Sequence, residues 1–454
     1  MKQENNKIKT PIADFVKAYA KSDMCRFHMP GHKGKSFVGC EALDITEVHG
    51  GDSLYEADGI IAESEKNATE LFGTGRTLFS TEGSSQCIRA MLYLAMLRKK
   101  EGVRPVIVAA RNVHKAFIYA ATLLDFDVIW LWPEGNAESL CSCYVSPATI
   151  EKVLQENKDS VVAVYITSPD YLGGQADIKK IAEVCHRNET ILAVDNAHGA
   201  YLHFLEPSQH PMDLGADICC DSAHKTLPVL TGGAYLHISK NAPKVFAEQA
   251  KYAMGLFGST SPSYLIMTSL DLCNAYLAGG YKERLKQIID LKETYVSELE
   301  VAGWKVRESD SLKLTIEIPR NMSGSDLTEK LRQNHVECEY ADPDFLVFML
   351  TPENIEDDLK QIVLALGENN LKYEIKEQIP VARTRRLMTI REAMFASPEA
   401  VSVNDAFERV CRVPTVSCPP AIPIAVPGEL IDEEVMKLFK YYGIREVDVV
   451  KSFD

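Results

Sequence analysis

The middle of the chain alternates short apolar runs with amphipathic stretches. "PVIVAA" (105–110), "DVIWLW" (127–132), "VVAVYIT" (161–167) and "ILAVDNA" (191–197) are continuous runs of strand length, rich in β-branched residues. Between them, "HKAFIYAATLL" (114–124), "SPATIEKVLQEN" (146–157) and "DIKKIAEVCHRN" (177–188) read as helices, the second opening on a Ser-Pro start signal. "ADICCDSA" (216–223) and "GAYLHIS" (233–239) follow as strands. Apolar strands separated by helices predict a parallel α/β sheet covered on both faces. Ligands of such sheets gather at the carboxyl ends of the strands. That rule directs attention to Thr167-Ser168-Pro169, Asp195-Asn196-Ala197-His198 and Ser222-Ala223-His224-Lys225.

Further on, a helix over 264–280 precedes a long charged helical stretch over 281–300. The strands "LKLTIEIP" (312–319) and "DFLVFMLTP" (344–352), with the helix "SDLTEKLRQN" (325–334) between them, predict a smaller α+β domain. "EIKEQIPVARTRR" reads as a connector. "SCPPAIPIAVPGELI" (417–431) is too rich in proline for a helix and too apolar for a tail. The organisation expected is an N-terminal arm (1–45), a large domain (46–280), a small α+β domain (281–375) and a C-terminal segment (376–454).

Composition narrows the class. The chain has 454 residues, 46% apolar and 25% charged, as in soluble proteins of more than one domain. A formal charge of −15 argues against binding nucleic acid through phosphates. No secretory leader and no membrane span is expected. The twelve cysteines are scattered, with no C-x-x-C and no zinc spacing. They read as reduced thiols of a cytoplasmic protein.

Lys225 and Asp195 sit at the ends of two predicted strands. Taken singly, the aspartate is as readily a turn residue and the lysine a solvated loop residue. Together they fit one chemistry. A lysine amine forms a Schiff base with an aldehyde cofactor, and pyridoxal phosphate also needs a carboxylate at its ring nitrogen. Its phosphate needs N–H groups and hydroxyls at a helix N-terminus. "STEGSSQCIRAMLYLAML" (80–97), a Gly-Ser-Ser turn entering an apolar helix, supplies these, although alone it would read as an ordinary N-cap.

Five segments in order resemble the Orn/Lys/Arg decarboxylase family of fold-type-I pyridoxal phosphate enzymes, in the form lacking the extra N-terminal regulatory domain. They are "RFHMPGHKG" (26–34), "ARNVHKAF" (110–117), "VDNAHGA" (194–200), "DSAHKTLPVLTGGA" (221–234) and "CPPAIPIAVPGE" (418–429). The resemblance implies an aspartate aminotransferase-like large domain, a mostly parallel sheet and a homodimer or higher homo-oligomer. It implies that Lys225 carries the cofactor, that Asp195 meets the ring nitrogen, that His114 stacks on the ring and that His198 lies beside it. Gly83, Ser84, Ser85, Ser222 and His224 would hold the phosphate, with Ser259 and Thr260 supplied across a dimer interface. The activity implied is decarboxylation of arginine, lysine or ornithine, with Lys225 or His224 returning the proton. Another fold-type-I reaction, or a catalytically silent regulator, are the alternatives.

Three positions depart from the family pattern: Asn196 in place of glutamate, Gly232-Gly233 after the lysine, and Ala421 in place of glycine. Glu429, in a proline-stiffened loop, is expected to read the cationic head group of the substrate. The competing reading makes it a cap for the helix that follows. His28 and His32 read as part of a Pro-Gly turn that orders the arm.

Overall fold

The helices of the central region begin where the sequence supplies caps. Ser146 Oγ accepts the Thr149 N–H (3.3 Å) ahead of Pro147–Glu156, and Asp177 accepts the Lys180 N–H (3.2 Å) ahead of Ile178–Arg187. The second helix buries Ile178, Ile181, Ala182 and Cys185 on one stripe and carries His186 and Arg187 in its last turn, where positive charge is favoured. The protein is described here by a computed structural model covering residues 8–135, 139–371, 373, 382–415 and 420–451. Cys418 and Pro419 of the C-terminal motif, and most of the expected connector, lie outside the described residues.

Seven strands form the central region, six of them matching the pattern. In chain order they are β1 (Arg76–Ser80), β2 (Val106–Ala110), β3 (Asp127–Leu131), β4 (Val161–Thr167), β5 (Ile191–Asp195), β6 (Ile218–Asp221) and β7 (Ala234–Ile238). The chain divides into two units, Met1–Arg98 with Ile191–Leu285, and Lys99–Thr190 with Lys286–Asp454.

In the first unit the strand order is β1-β7-β6-β5. β5 and β6 run parallel, with Asp195 opposite Cys220. β7 is antiparallel to both β6 and β1, which departs from the purely parallel expectation. The reason is the connection over 222–233, which holds only the single helical turn Ala223–Thr226. That turn is too short a helix to carry a parallel crossover over the sheet. β1 was not legible, since "RTLFS" mixes polar and apolar residues without a clear period. Near the N-terminus, His28 Nε2 meets the Tyr19 hydroxyl (2.6 Å) and His32 Nε2 meets Asp44 (3.1 Å), so both histidines do order the arm.

In the second unit β2 pairs in parallel with β3 and with β4. Two smaller sheets follow. β8 (Val306–Arg307), β9 (Lys313–Glu317), β10 (Tyr340–Ala341) and β11 (Phe345–Met349) form an antiparallel sheet in the order β10-β11-β9-β8. Leu314, Ile316, Leu346 and Phe348 from this sheet pack on Leu327 and Leu331 of the helix Gly324–Gln333. β12 (Pro398–Ser402) pairs with β13 (Glu446–Val450) beside the helix Glu433–Tyr441. Eleven of the twelve cysteines are described, all as free thiols. Among the described residues no helix is long and apolar enough to cross a membrane.

Candidate active site

The parallel register of β5 and β6 brings their carboxyl ends to the same edge. Asp195 closes β5 and is 2% exposed; its Oδ1 accepts the Ala197 N–H (3.2 Å) and the Cys220 thiol (3.7 Å). Beyond β6, the helical turn Ala223–Thr226 carries Lys225, which is half-buried. Its Nζ lies 3.0 Å from His198 Nε2. An ammonium only donates, so the His198 nitrogen facing it holds the lone pair when Lys225 is charged. Asp195, His198 and Lys225, read from sequence as one constellation, therefore lie on one rim.

The helix Gly83–Met96 begins beside this rim. Its N-cap residue, Glu82, makes no side-chain bond to the helix, and the first turn holds no acidic side chain. The Glu82 carboxylate is engaged by the Ser259 N–H instead. Gly83 has φ +69, and a Cβ added there would find only His224 Cε1, at 4.0 Å. Ser222 Oγ donates to Ser84 Oγ (2.8 Å) across the mouth of this end, and Ser85 follows in the first turn. A positive helix end without a capping side chain, with hydroxyls and an open glycine, fits a phosphate. A buried carboxylate and an amine on the same rim fit the rest of pyridoxal phosphate. The site residues present thus match the group that the motifs imply.

His224 adds an acceptor to the rim. Its backbone N–H (3.2 Å) and its Nδ1 (3.0 Å) both bond to the Gly233 carbonyl oxygen. Burial pushes its pKa down and the Lys225 charge adds to that, against the opposing pull of the Gly233 carbonyl. The neutral ring thus keeps its proton on Nδ1 and offers a lone pair at Nε2. Ser259 and Thr260 are exposed.

In the second unit His114 caps the helix Lys115–Leu124, its Nδ1 accepting the Ala116 N–H (3.2 Å). Glu429 is 4% exposed and bonded within its own unit. Its Oε2 accepts from Arg111 Nη2 (3.1 Å) and from the Val426 N–H (2.8 Å). Arg111 also donates to the carbonyls of Pro423 (3.1 Å) and Ile424 (3.2 Å), and its guanidinium lies over Trp130 (5.2 Å) and Trp132 (5.4 Å). Burial raises the Glu429 pKa and Arg111 offsets part of that rise. The carboxylate expected to await a substrate cation thus already faces one from its own chain. Nor is it the cap of the following helix: Asp432 takes that place, accepting the Val435 N–H (3.0 Å). Arg111 went unnoticed in the sequence although it stands three residues before His114; only the fold shows which carboxylate it meets.

Residues 10–353 match the family described as Orn/Lys/Arg decarboxylase, major domain. The chain belongs to the Orn/Lys/Arg decarboxylase family. It is 30% identical to the arginine decarboxylase of Halalkalibacterium halodurans, over 93% of this chain and 91% of that one. It is 29% identical to the arginine decarboxylase of Bacillus subtilis, over 95% and 93%. The lysine decarboxylase LdcF of Francisella novicida superposes with a TM-score of 0.81 at 18% identity, covering 98% of this chain and 82% of that one. Membership makes the chain a pyridoxal phosphate-dependent amino acid decarboxylase of the fold-type-I α/β class.

The Gly232-Gly233 departure from the family pattern has a physical reason. Gly232 has φ +98, and a Cβ there would lie 2.9 Å from the Thr81 carbonyl oxygen. At Gly233 a Cβ would lie 2.2 Å from Val229 Cγ1. The carbonyl of Gly232 accepts the Gly83 N–H (2.7 Å) and that of Gly233 holds His224, so the two glycines tie the lysine segment to the helix end. Ala421 has φ +61, where a glycine is favoured; its carbonyl accepts the Lys115 N–H (2.9 Å), beside His114.

Proposed function

We propose that this decarboxylase acts on arginine, holding its cofactor through Lys225, Asp195 and the open end of the helix Gly83–Met96. The observation that carries the assignment of the site is the Lys225 amine 3.0 Å from His198, on the rim that Asp195 and Ser84 share. Two relatives that align over nine-tenths of both chains are named arginine decarboxylases, which supports arginine over lysine or ornithine. When bound, the cofactor supplies an electron sink for the bond to the α-carboxylate. Asp195, buried, keeps the ring nitrogen protonated by offering it a fixed negative charge. Ser84, Ser85 and Ser222 donate hydroxyl protons to the phosphate. His224 joins them once the phosphate charge offsets its desolvation and lets Nε2 take a proton.

The proton returned to the α-carbon comes from the Lys225 amine. His224 has its Nδ1–H committed to Gly233 and the Nε2 proton, once taken up, committed to the phosphate, so it is the weaker donor. His198, against the amine, keeps Lys225 directed along the rim. In the second unit the Arg111–Glu429 pair fixes the 420–431 loop, so that selection of the cationic head group falls to other residues. The protein works in the cytoplasm as a homodimer in which the exposed Ser259 and Thr260 reach the phosphate of the partner subunit. The test is a panel of arginine, lysine and ornithine with CO2 and amine product measured. Arginine should give at least tenfold the kcat/KM of the other two. Equal or better turnover of lysine or ornithine would overturn the substrate assignment, and keto-acid in place of CO2 would overturn the reaction.

A further inference from the structure

Directly behind the rim lies a buried polar cluster on which the function just proposed makes no demand. Asp221 closes β6, four residues before Lys225, and is fully buried. Its Oδ2 accepts from His210 Nε2 (3.0 Å) and from His237 Nε2 (3.1 Å), both rings also fully buried. Its Oδ1 accepts from Asn196 Nδ2 (2.7 Å). Each histidine is fixed at its other nitrogen. His210 Nδ1 accepts the Met212 N–H (3.3 Å), and His237 Nδ1 meets Thr77 Oγ1 (2.9 Å). His210, Cys219 and Asp221 come within 4.8 Å of one another, close enough for a metal ion. With both His210 nitrogens occupied, however, the group is a hydrogen-bond network and not a ligand set.

The network has a direction. Burial alone would raise the Asp221 pKa, but His210 and His237 together hold it well below the carboxylate range, so it is a stable anion with three N–H donors. Two of those donors come from histidines built into the core. The third, Asn196, is the residue that follows Asp195. The Asn196 backbone N–H bonds to the Cys220 carbonyl (3.0 Å), and its own carbonyl accepts the Gly199 N–H (2.8 Å), closing the turn that presents His198. Asp221 thus ties the end of β5 to the end of β6 through one side-chain bond. The β5 end carries Asp195 and His198, and the β6 end leads to Ser222 and Lys225.

We propose that Asp221, held by His210 and His237, is a positioning residue of this decarboxylase, acting through Asn196 to set Asp195 and His198 relative to Lys225. The inference rests on the assignment of those three residues to the cofactor site. It also accounts for Asn196. A glutamate there, as in the family pattern, would bring a second buried carboxylate against Asp221, and the two could not both stay ionised. A displacement of the reacting groups by about 1 Å costs roughly a hundredfold in rate. One misplaced bond of this kind therefore registers in turnover before it registers in the fold.

The test is a charge swap read on the loaded enzyme. Asn196→Asp sets two carboxylates face to face. Per mole of bound cofactor its kcat should fall at least tenfold, with KM within twofold and a changed visible circular dichroism band, which reports how the ring is held. The double variant Asn196→Asp with Asp221→Asn restores one amide and one carboxylate in reversed order, and the amide oxygen so placed on β6 can still accept from both histidines. It should return kcat to within threefold of wild type and restore the band. A loss that the double variant does not restore overturns the proposal, as does a lowered melting temperature with kcat and band unchanged. If Asn196→Asp does not fold, Asn196→Ala removes the bond without adding charge. A threefold or greater fall in kcat with a changed band then supports the proposal, and wild-type values of both overturn it. Lys225→Ala is measured in parallel. If it keeps turnover and the visible band, the cofactor assignment itself fails; if it loses them while the Asn196 variants behave as wild type, only the positioning role fails.

Discussion

Lys225 and Arg111 are both cations carried on motif segments, and their surroundings treat them in opposite ways. The Lys225 amine, half-buried, meets an imidazole nitrogen of His198, a group with a lone pair and no fixed negative charge. Arg111 is bound by a carboxylate, by two carbonyls and by the faces of two indoles. The first is a contact between two titratable nitrogens. The second neutralises a group and uses it as a tie, which is how buried ion pairs must be built if they are to persist. The contrast teaches that a motif marks polar residues without saying whether the fold spends them on itself.

The contrast breaks most sharply at Lys225. Lys225→Ala should abolish CO2 release and remove the visible absorbance of bound cofactor, with a melting temperature close to wild type; measurable turnover would remove the lysine from its role. Asp195→Asn comes next. It keeps the shape and removes the charge, and a fall in kcat of about a thousandfold, ~4 kcal/mol of barrier, is expected with the fold intact. A fall of less than about tenfold would mean that another group serves the ring nitrogen. Glu429→Gln should do the reverse, leaving Arg111 buried with a weaker partner. It should destabilise by ~3 kcal/mol in urea unfolding while kcat/KM for arginine changes less than about fivefold. A tenfold loss in kcat/KM with unchanged stability would instead make Glu429 the reader of the head group. The smallest effect belongs to Ala421→Gly. Relief of the left-handed backbone, ~1 kcal/mol, is nearly cancelled by the loss of a buried methyl worth ~0.8 kcal/mol. Unfolding should show a net change below ~0.5 kcal/mol, and a larger stabilisation would identify Ala421 as a tolerated flaw in the loop.

The central strands and helices were legible because they are long, apolar and capped. Ser146, Pro147 and Asp177 stand where the helices begin, and β4 is a near-continuous run of buried residues. Asp195, Lys225 and the Gly-Ser-Ser turn were legible because strand ends and helix starts are local features. What stayed hidden was long-range. No spacing connects Arg111 to Glu429, more than three hundred residues on, and no period reveals that His210 and His237 converge on Asp221. The antiparallel return of β7 follows from the contents of one short link, not from the apolar pattern of the strand itself.

The free thiols give the molecule a ready-made set of reporters. Cys25 and Cys40, on the N-terminal arm, are exposed, whereas seven others are buried, Cys219 and Cys220 beside the site among them. Burial drives the thiol pKa of both inner residues far up, so neither presents a thiolate to an alkylating reagent while the protein is folded. A maleimide dye added to the native protein would mark the arm first and leave the rim that carries Lys225 untouched. The same chemistry, followed over time in denaturant, would clock the opening of the core.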